Sequence, residues 1–147
     1  WMDPEEFLHF VYDIDVSDVE PDPALKKLLE NLPGRRLIFT NGSVPHAQRI
    51  TEQLGIGHLF EGIFDIVAAN FVPKPEPVTY QAMVDEFDVV ATASAMIDDM
   101  AKNLIPASNL GIRTVWLKHD KDWSSKDFSS EHIDKEISDL KSWLATV

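Results

Sequence analysis

Leu37-Ile38-Phe39-Thr40-Asn41-Gly42 is the stretch on which the fold turns. Three apolar residues run directly into a hydroxyl, a carboxamide and a glycine. A short apolar run bounded by turn chemistry reads as a strand buried on both faces, the habit of parallel sheets. Downstream, a helix is expected from Val44 or Pro45 to Leu54, stopped by Gly55-Ile56-Gly57. Phe64 to Ala69 reads as the next strand, and Pro77 to Phe87 as a helix with Tyr80, Met83, Val84 and Phe87 inward. Ser94 to Ile97 is a third strand, Lys102 to Leu110 a further helix and Thr114 to Leu117 a fourth strand. From His119 to Ser130 the chain is polar. An amphipathic helix is expected from about Glu131, with Ile133, Ile137, Leu140 and Leu144 inward.

Upstream of Leu37, Leu32-Pro33-Gly34 ends a helix running from Ala24 to Asn31, with Leu25, Leu28 and Leu29 on one face. Glu20-Pro21-Asp22-Pro23 breaks the chain before it. Asp3-Pro4-Glu5-Glu6 is a helix start, with a capping aspartate, proline in the first turn and acids at the positive end of the dipole. The apolar cluster Phe7, Leu8, Phe10, Val11 and Tyr12 that follows fits either a short helix or a strand.

Strands alternating with helices of about ten residues predict an α/β domain around a parallel sheet. In such sheets, ligands bind beyond the carboxyl ends of the strands. Three polar stations lie at or just past such ends: Thr40-Asn41-Gly42, Lys74 in Phe71-Val72-Pro73-Lys74-Pro75, and Asp98-Asp99 after Ala95-Met96-Ile97. Together they have the parts needed to hold a phosphate and a divalent cation. Carboxylates bind a hard metal, while an ammonium and a hydroxyl-carboxamide turn hold phosphoryl oxygens. His46 is read as a packing or helix-surface residue, and His9, His58, His119 and His132 show no ligand spacing. Trp116, Trp123 and Trp143 are read as packing residues, and Glu76 and Arg113 as surface charges.

Composition bounds the partners. The 147 residues suit one domain, and 44% hydrophobic with 26% charged residues is ordinary for a globular protein. A net charge of -12 argues against a nucleic-acid backbone as partner, because counterion release needs a basic surface. A small phosphorylated metabolite, including a free nucleotide, stays compatible with it. With no cysteine there is no disulfide, thiolate metal site or cysteine nucleophile. No apolar run approaches the roughly 20 residues of a membrane span, so no membrane partner is expected and the cytoplasm is the expected compartment. The chain opens Trp1-Met2, so Trp1 is read as foreign to a natural start, or the chain as an excised piece.

One ordered set of motifs carries a resemblance. It comprises Pro21-Asp22-Pro23-Ala24-Leu25, Leu32-Pro33-Gly34-Arg35, Ile38-Phe39-Thr40-Asn41-Gly42, His46-Ala47-Gln48-Arg49, Leu54-Gly55-Ile56 and Phe64-Asp65-Ile66. It continues through Pro73-Lys74-Pro75, Ile97-Asp98-Asp99, Asn103-Leu104, Ala107 and Leu110-Gly111-Ile112-Arg113-Thr114-Val115. In this order the chain resembles the haloacid dehalogenase superfamily of phosphohydrolases, and more closely its pyrimidine 5'-nucleotidase-like branch. The resemblance implies a three-layer Rossmann-like core over residues 21–147, preceded by a residual cap-like or N-terminal segment over 1–20. It implies a magnesium-dependent phosphatase acting on a nucleoside monophosphate or a similar small ester. By the same resemblance Thr40, with Asn41 and the Gly42 backbone, binds the phosphoryl group. Lys74 holds the phosphate and carboxylate charges together, and Asp98 and Asp99 hold Mg2+. The family's pair is often Glu-Asp, so Asp-Asp is a mild departure.

The larger departure lies upstream. The resemblance calls for a first strand ending in Asp-x-Asp, whose first aspartate attacks phosphorus and whose second serves as acid and base. Only 39 residues precede Thr40, too few for that strand and a full cap. Asp13-Ile14-Asp15 imitates the motif, with Asp13 as candidate nucleophile and Asp15 as candidate acid-base residue. The preferred reading is a decoy, because a similar acidic segment closes the cap in this branch. In the superfamily the first strand lies mid-sheet, between the strands ending at Thr40 and Asp98. Its slot is therefore expected to be filled by residues near Phe7 to Tyr12, or by a strand swap or homo-oligomer contact with another copy. Two other classes stay open: a catalytically silent core that binds phosphate or metal, or associates with another chain, and a haloacid dehalogenase, which the acidic pair disfavours.

Overall fold

The computed structural model describes residues 2–125 and 129–147. Trp1 lies outside the described residues, as does the side chain of Trp123 for which packing was expected. The chain divides into two compact units, Trp1–Phe71 with Leu144–Val147, and Val72–Trp143. Every strand pairing in both is parallel, the α/β arrangement that the alternation of elements predicts.

The first unit holds α1 (Pro4–Val11), α2 (Pro23–Asn31), β1 (Leu37–Phe39), α3 (Val44–Leu54) and β2 (Gly62–Phe64). The ambiguous cluster after Glu6 is helical. The Asp3 carboxylate accepts from the Glu5 amide at 2.9 Å, Pro4 occupies the first turn, and Glu5 and Glu6 sit at the positive end. Residues Phe7 to Val11 therefore fill no strand slot. Asp22 caps α2 through the Leu25 amide, and Leu29 is its buried contact. Ser43 caps α3, and Gly55, at φ 79°, ends it in the left-handed region that glycine enters without a Cβ penalty. β1 and β2 pair Leu37 with Gly62, Ile38 with Ile63 and Phe39 with Phe64. The strand expected from Phe64 to Ala69 ends at Phe64, because Asp65 folds the chain back. Its carboxylate accepts from the Ala68 amide, and its carbonyl accepts from the Ala69 amide.

The second unit holds α4 (Pro77–Glu86), β3 (Ala95–Asp98), α5 (Ile105–Asn109), β4 (Arg113–Leu117) and β5 (Lys135–Ile137), in strand order β3-β4-β5. Its core gathers Ala101, Leu104 and Trp116, with Met96 and Ile133 against them, and Tyr80 of α4 is fully buried. The single helix expected from Lys102 to Leu110 is a 3-10 turn, Ala101–Leu104, followed by α5. The helix expected from Glu131 starts only at Leu140, as α6 (Leu140–Leu144), and β5 stands in its place. Tertiary bonds decide this. The Asp134 carboxylate accepts from the Thr114 amide at 2.8 Å, and the Thr114 hydroxyl donates to the His132 carbonyl at 2.6 Å. The segment is thereby drawn alongside β4, and Ile137 is buried.

β1 and β3 are each an outer strand of their sheet. The Arg113 amide donates to the Ser94 carbonyl, so by strand alternation Ala95 and Ile97 turn their peptide groups away from β4. On β1 the Thr40 amide bonds Phe64 and the Arg36 carbonyl accepts from Glu61, which leaves the Leu37 and Phe39 peptide groups on the other side. Among the described residues no strand pairs with either edge.

Candidate functional site

In the first unit the turn after β1 is held in place by its own side chains. The Gly42 amide donates to the Thr40 hydroxyl at 2.9 Å, and the Ile66 amide donates to the Gly42 carbonyl at 3.1 Å. A Cβ at Gly42 would stand 3.3 Å from the Thr40 hydroxyl oxygen and 3.6 Å from the Tyr12 ring, so a larger residue there would crowd the turn. Buried Asp65 braces the turn from below, its carboxylate accepting from the Val44 amide at 3.0 Å and the Ala68 amide at 2.9 Å. Asp65 belongs to the quoted Phe64-Asp65-Ile66 motif, but its role is visible only once Val44 is seen beside it.

In the second unit Lys74 and Asp98 meet across 24 residues of sequence. Lys74 Nζ donates to Asp98 Oδ2 at 2.8 Å, with side chains only 8% and 7% exposed. Asp98 also accepts from the Met100 amide at 2.8 Å and from Asn103 Nδ2 at 3.2 and 3.3 Å. Those neutral and cationic donors fix the orientation of the carboxylate. Asn103 is itself buried and its Oδ1 has no partner, an oxygen left over beside the acidic pair. Tyr80 donates its phenol to the Asn103 carbonyl, and burial together with the Asp98 charge pushes that phenol far above its usual range.

Asp99 behaves differently. Its side chain is 51% exposed and lies 3.6 Å from His119 Nε2. Its carbonyl is fixed by the Trp116 indole N–H at 3.1 Å and the Ser124 hydroxyl at 2.7 Å. Thus one carboxylate of the pair is anchored and the other projects outward. Two carboxylates and a spare amide oxygen are hard donors of the kind Mg2+ takes, in number enough for an ion that keeps several waters. Among the described residues no group of three acidic, histidine or cysteine side chains forms a closed metal cage.

Asp13 and Asp15 follow a helix, so neither stands at a strand end. Asp13 is 86% exposed and pairs loosely with Arg49 at 3.7 Å. The Asp15 carboxylate accepts from the Ser17 amide at 2.9 Å, a local turn that lowers its pKa. His46 stacks on Tyr12 with ring centroids 4.8 Å apart, and burial, then the Arg49 charge, lowers its pKa. A cavity of the first unit, about 630 Å3, is lined by Glu52, His58 and Glu61 and by no expected phosphate ligand. Its carboxylates repel an anion.

The chain matches the family of haloacid dehalogenase-like hydrolases over residues 3–111. It is 29% identical over 133 residues to Phosphate metabolism protein 8 of Saccharomyces cerevisiae, a match covering 80% of this chain and 41% of the yeast protein. The chain thus spans about two fifths of that relative's length. Among solved structures, a dehalogenase with an intermediate complex superposes with TM-score 0.71 at 17% identity, covering 96% of this chain and 68% of the other. A haloacid dehalogenase-type phosphatase from Thermococcus onnurineus gives 0.65 at 19%, covering 99% and 64%. The L-2-haloacid dehalogenase of Xanthobacter autotrophicus with chloropropionic acid covalently bound gives 0.61 at 19%, covering 99% and 58%. At these identities the solved structures speak for the shared fold. The family match takes in both polar turns and the acidic pair, and this chain belongs to the haloacid dehalogenase-like hydrolases.

Proposed function

We propose that the chain is the phosphate- and metal-holding core of a magnesium-dependent phosphatase for small phosphate monoesters, with pyrimidine nucleoside monophosphates as the favoured class. The observation that carries this reading is the buried Lys74–Asp98 pair with exposed Asp99 beside it. A dehalogenase needs no cation, whereas two adjacent carboxylates at a strand end, one anchored and one exposed, are the hard oxygen donors that a divalent cation takes. When bound by Asp98 and Asp99, Mg2+ supplies the Lewis acidity and charge neutralisation that phosphoryl transfer requires. Lys74 holds Asp98 in place and brings a positive charge to the phosphoryl oxygens. The Thr40 hydroxyl, oriented by the Gly42 amide that donates to it, and Asn41 offer donors at the other polar turn.

The nucleophile is the missing part. A strand added in parallel to the open edge of β3 runs about 4.8 Å from it. A carboxylate at that strand's end falls beside Asp98 and within range of Lys74. A second copy of the chain or a separate segment can donate such a strand, and sedimentation at several concentrations distinguishes the two. The exposed, turn-bound positions of Asp13 and Asp15 favour a second reading, in which the chain alone binds phosphate and metal without turnover.

The test is hydrolysis of p-nitrophenyl phosphate and uridine monophosphate, with Mg2+ or EDTA, by the chain and its Asp99→Asn and Asp13→Asn variants. Magnesium-dependent release of phosphate abolished by Asp99→Asn supports the phosphatase. Loss with Asp13→Asn alone moves the nucleophile to Asp13. No turnover, with Mg2+ binding that needs Asp99, supports the silent core. Turnover indifferent to Mg2+ and to Asp99 refutes the metal assignment.

A further inference from the structure

Thr79 and Tyr80, neighbours in the first turn of α4, are 2% and 0% exposed. Each hydroxyl reaches out of the helix to a backbone carbonyl. Thr79 Oγ1 donates to the Val72 carbonyl, and the Tyr80 phenol donates to the Asn103 carbonyl. We propose that Thr79 and Tyr80 are positioning residues for the Lys74–Asp98 contact. With one hydroxyl α4 holds the loop of Lys74, and with the next it holds the turn of Asn103, so the helix sets the distance between ammonium and carboxylate. The role rests on the reading of that contact as part of the phosphate and metal site.

Three observations carry it. First, each carbonyl belongs to a segment that bears on the pair. Val72 stands two residues before Lys74, in a loop tightened by the Glu76 amide on the Pro73 carbonyl at 3.0 Å and the Thr79 amide on the Glu76 carbonyl at 3.1 Å. Asn103 is the residue whose Nδ2 donates to both Asp98 oxygens, at 3.2 and 3.3 Å. Second, packing does not ask for these hydroxyls. Phenylalanine and valine fill nearly the same space, and a buried hydroxyl is costly unless it is bonded. Third, adjacent residues of a helix point about 100° apart, so one rigid helix addresses two segments far apart in sequence. Buried Met83, one turn on, seats α4 in the core. The contact needs such a frame. Lys74 lies in a loop on a flexible stem and Asp98 ends β3, yet they meet at 2.8 Å.

The experiment measures the coupling of Lys74 to Asp98 without metal. Urea denaturation in EDTA of the chain, Lys74→Met, Asp98→Asn and the double variant gives it as a double-mutant cycle. The cycle is repeated in Tyr80→Phe, Thr79→Val and Thr51→Val backgrounds. Thr51 is the control, a buried hydroxyl of α3 that donates to the Ala47 carbonyl at 2.9 Å. Tyr80→Phe and Thr79→Val are each expected to lose roughly a third or more of the coupling, the Coulomb loss when the contact opens to about 4 Å. Thr51→Val is expected to lower stability and keep the coupling. Coupling unchanged by Tyr80→Phe and Thr79→Val, whatever their stability, overturns the proposal, as does an equal fall in Thr51→Val. Calorimetric titration with Mg2+ adds a second readout. Tyr80→Phe is expected to weaken Mg2+ about tenfold or more, as for partners that orient a metal ligand. Where Lys74→Met does not fold in the Tyr80→Phe background, this titration decides, and unchanged affinity overturns the proposal. Coupling that falls as expected in a chain whose wild type binds no Mg2+ supports the positioning role and refutes the metal reading.

Discussion

Replacing Lys74 by methionine tests the buried pair directly. Met keeps much of the lysine stem and removes only the ammonium. At the 2.8 Å separation in the structure, two unit charges attract by about 6 kcal/mol at an effective dielectric near 20. Much of that attraction offsets the desolvation of two side chains that are less than one tenth exposed. Removing the ammonium strips the buried Asp98 carboxylate of its cationic partner, so Lys74→Met is expected to cost about 3–5 kcal/mol. Asp98→Asn in the same chain replaces the stranded charge by a neutral isostere that still accepts from Met100. The double variant is therefore expected to recover at least half of the loss. Urea denaturation of the four proteins in EDTA, followed by far-UV circular dichroism, gives the double-mutant cycle. A loss below about 1 kcal/mol for Lys74→Met, the level of an exposed pair, refutes the claim that burial makes this contact count. Additive single costs refute the coupling itself.

Three further outcomes follow from other contacts. Asp65→Ala removes the acceptor of the half-buried Val44 amide and of the exposed Ala68 amide and is expected to lower stability by about 1–3 kcal/mol, at roughly 0.5–1.5 kcal/mol for each lost bond, read from the urea midpoint. Gly42→Ala places a Cβ 3.3 Å from the Thr40 hydroxyl and is expected to weaken inorganic phosphate in a titration with little change in far-UV signal; undiminished affinity would show that the turn is not where phosphate binds. Because burial and Arg49 lower the folded-state pKa of His46, the unfolded chain takes up the proton first as pH falls. Wild type is thus expected to lose stability relative to His46→Gln as pH drops below about 6.5, with the difference absent above it; a difference growing toward high pH would reverse the sign of the argument.

Much of the site was legible because each station announces itself locally. An apolar triplet before Thr40-Asn41-Gly42 needs a turn there, and Ile97 before Asp98-Asp99 puts two carboxylates at a strand end. Lys74 is different. No local pattern ties it to Asp98, and the resemblance gave it only the general task of holding phosphate and carboxylate charges together. Asn103 and Asp65 stood inside quoted motifs without a role, since their partners are reached through the fold. The tail misled for a related reason. Ile133, Ile137, Leu140 and Leu144 fit a helical face, yet Asp134 bonding to Thr114 costs the helix its start and makes a strand.

Caps, breakers and apolar runs act over a few residues, so the sequence alone was enough for the α/β class, the first helix of nearly every segment and the three polar stations. Periodicity could not choose between helix and strand for Phe7 to Tyr12, because five residues satisfy both patterns. Long-range bonds made the remaining choices. They turned one carboxylate of the acidic pair inward to Lys74 and Asn103 and left the other exposed. They added β5 to the sheet, and among the described residues they paired no strand with the outer edges of β1 and β3. A backbone edge is a property of two strands and their neighbour, so no reading along one strand reveals it.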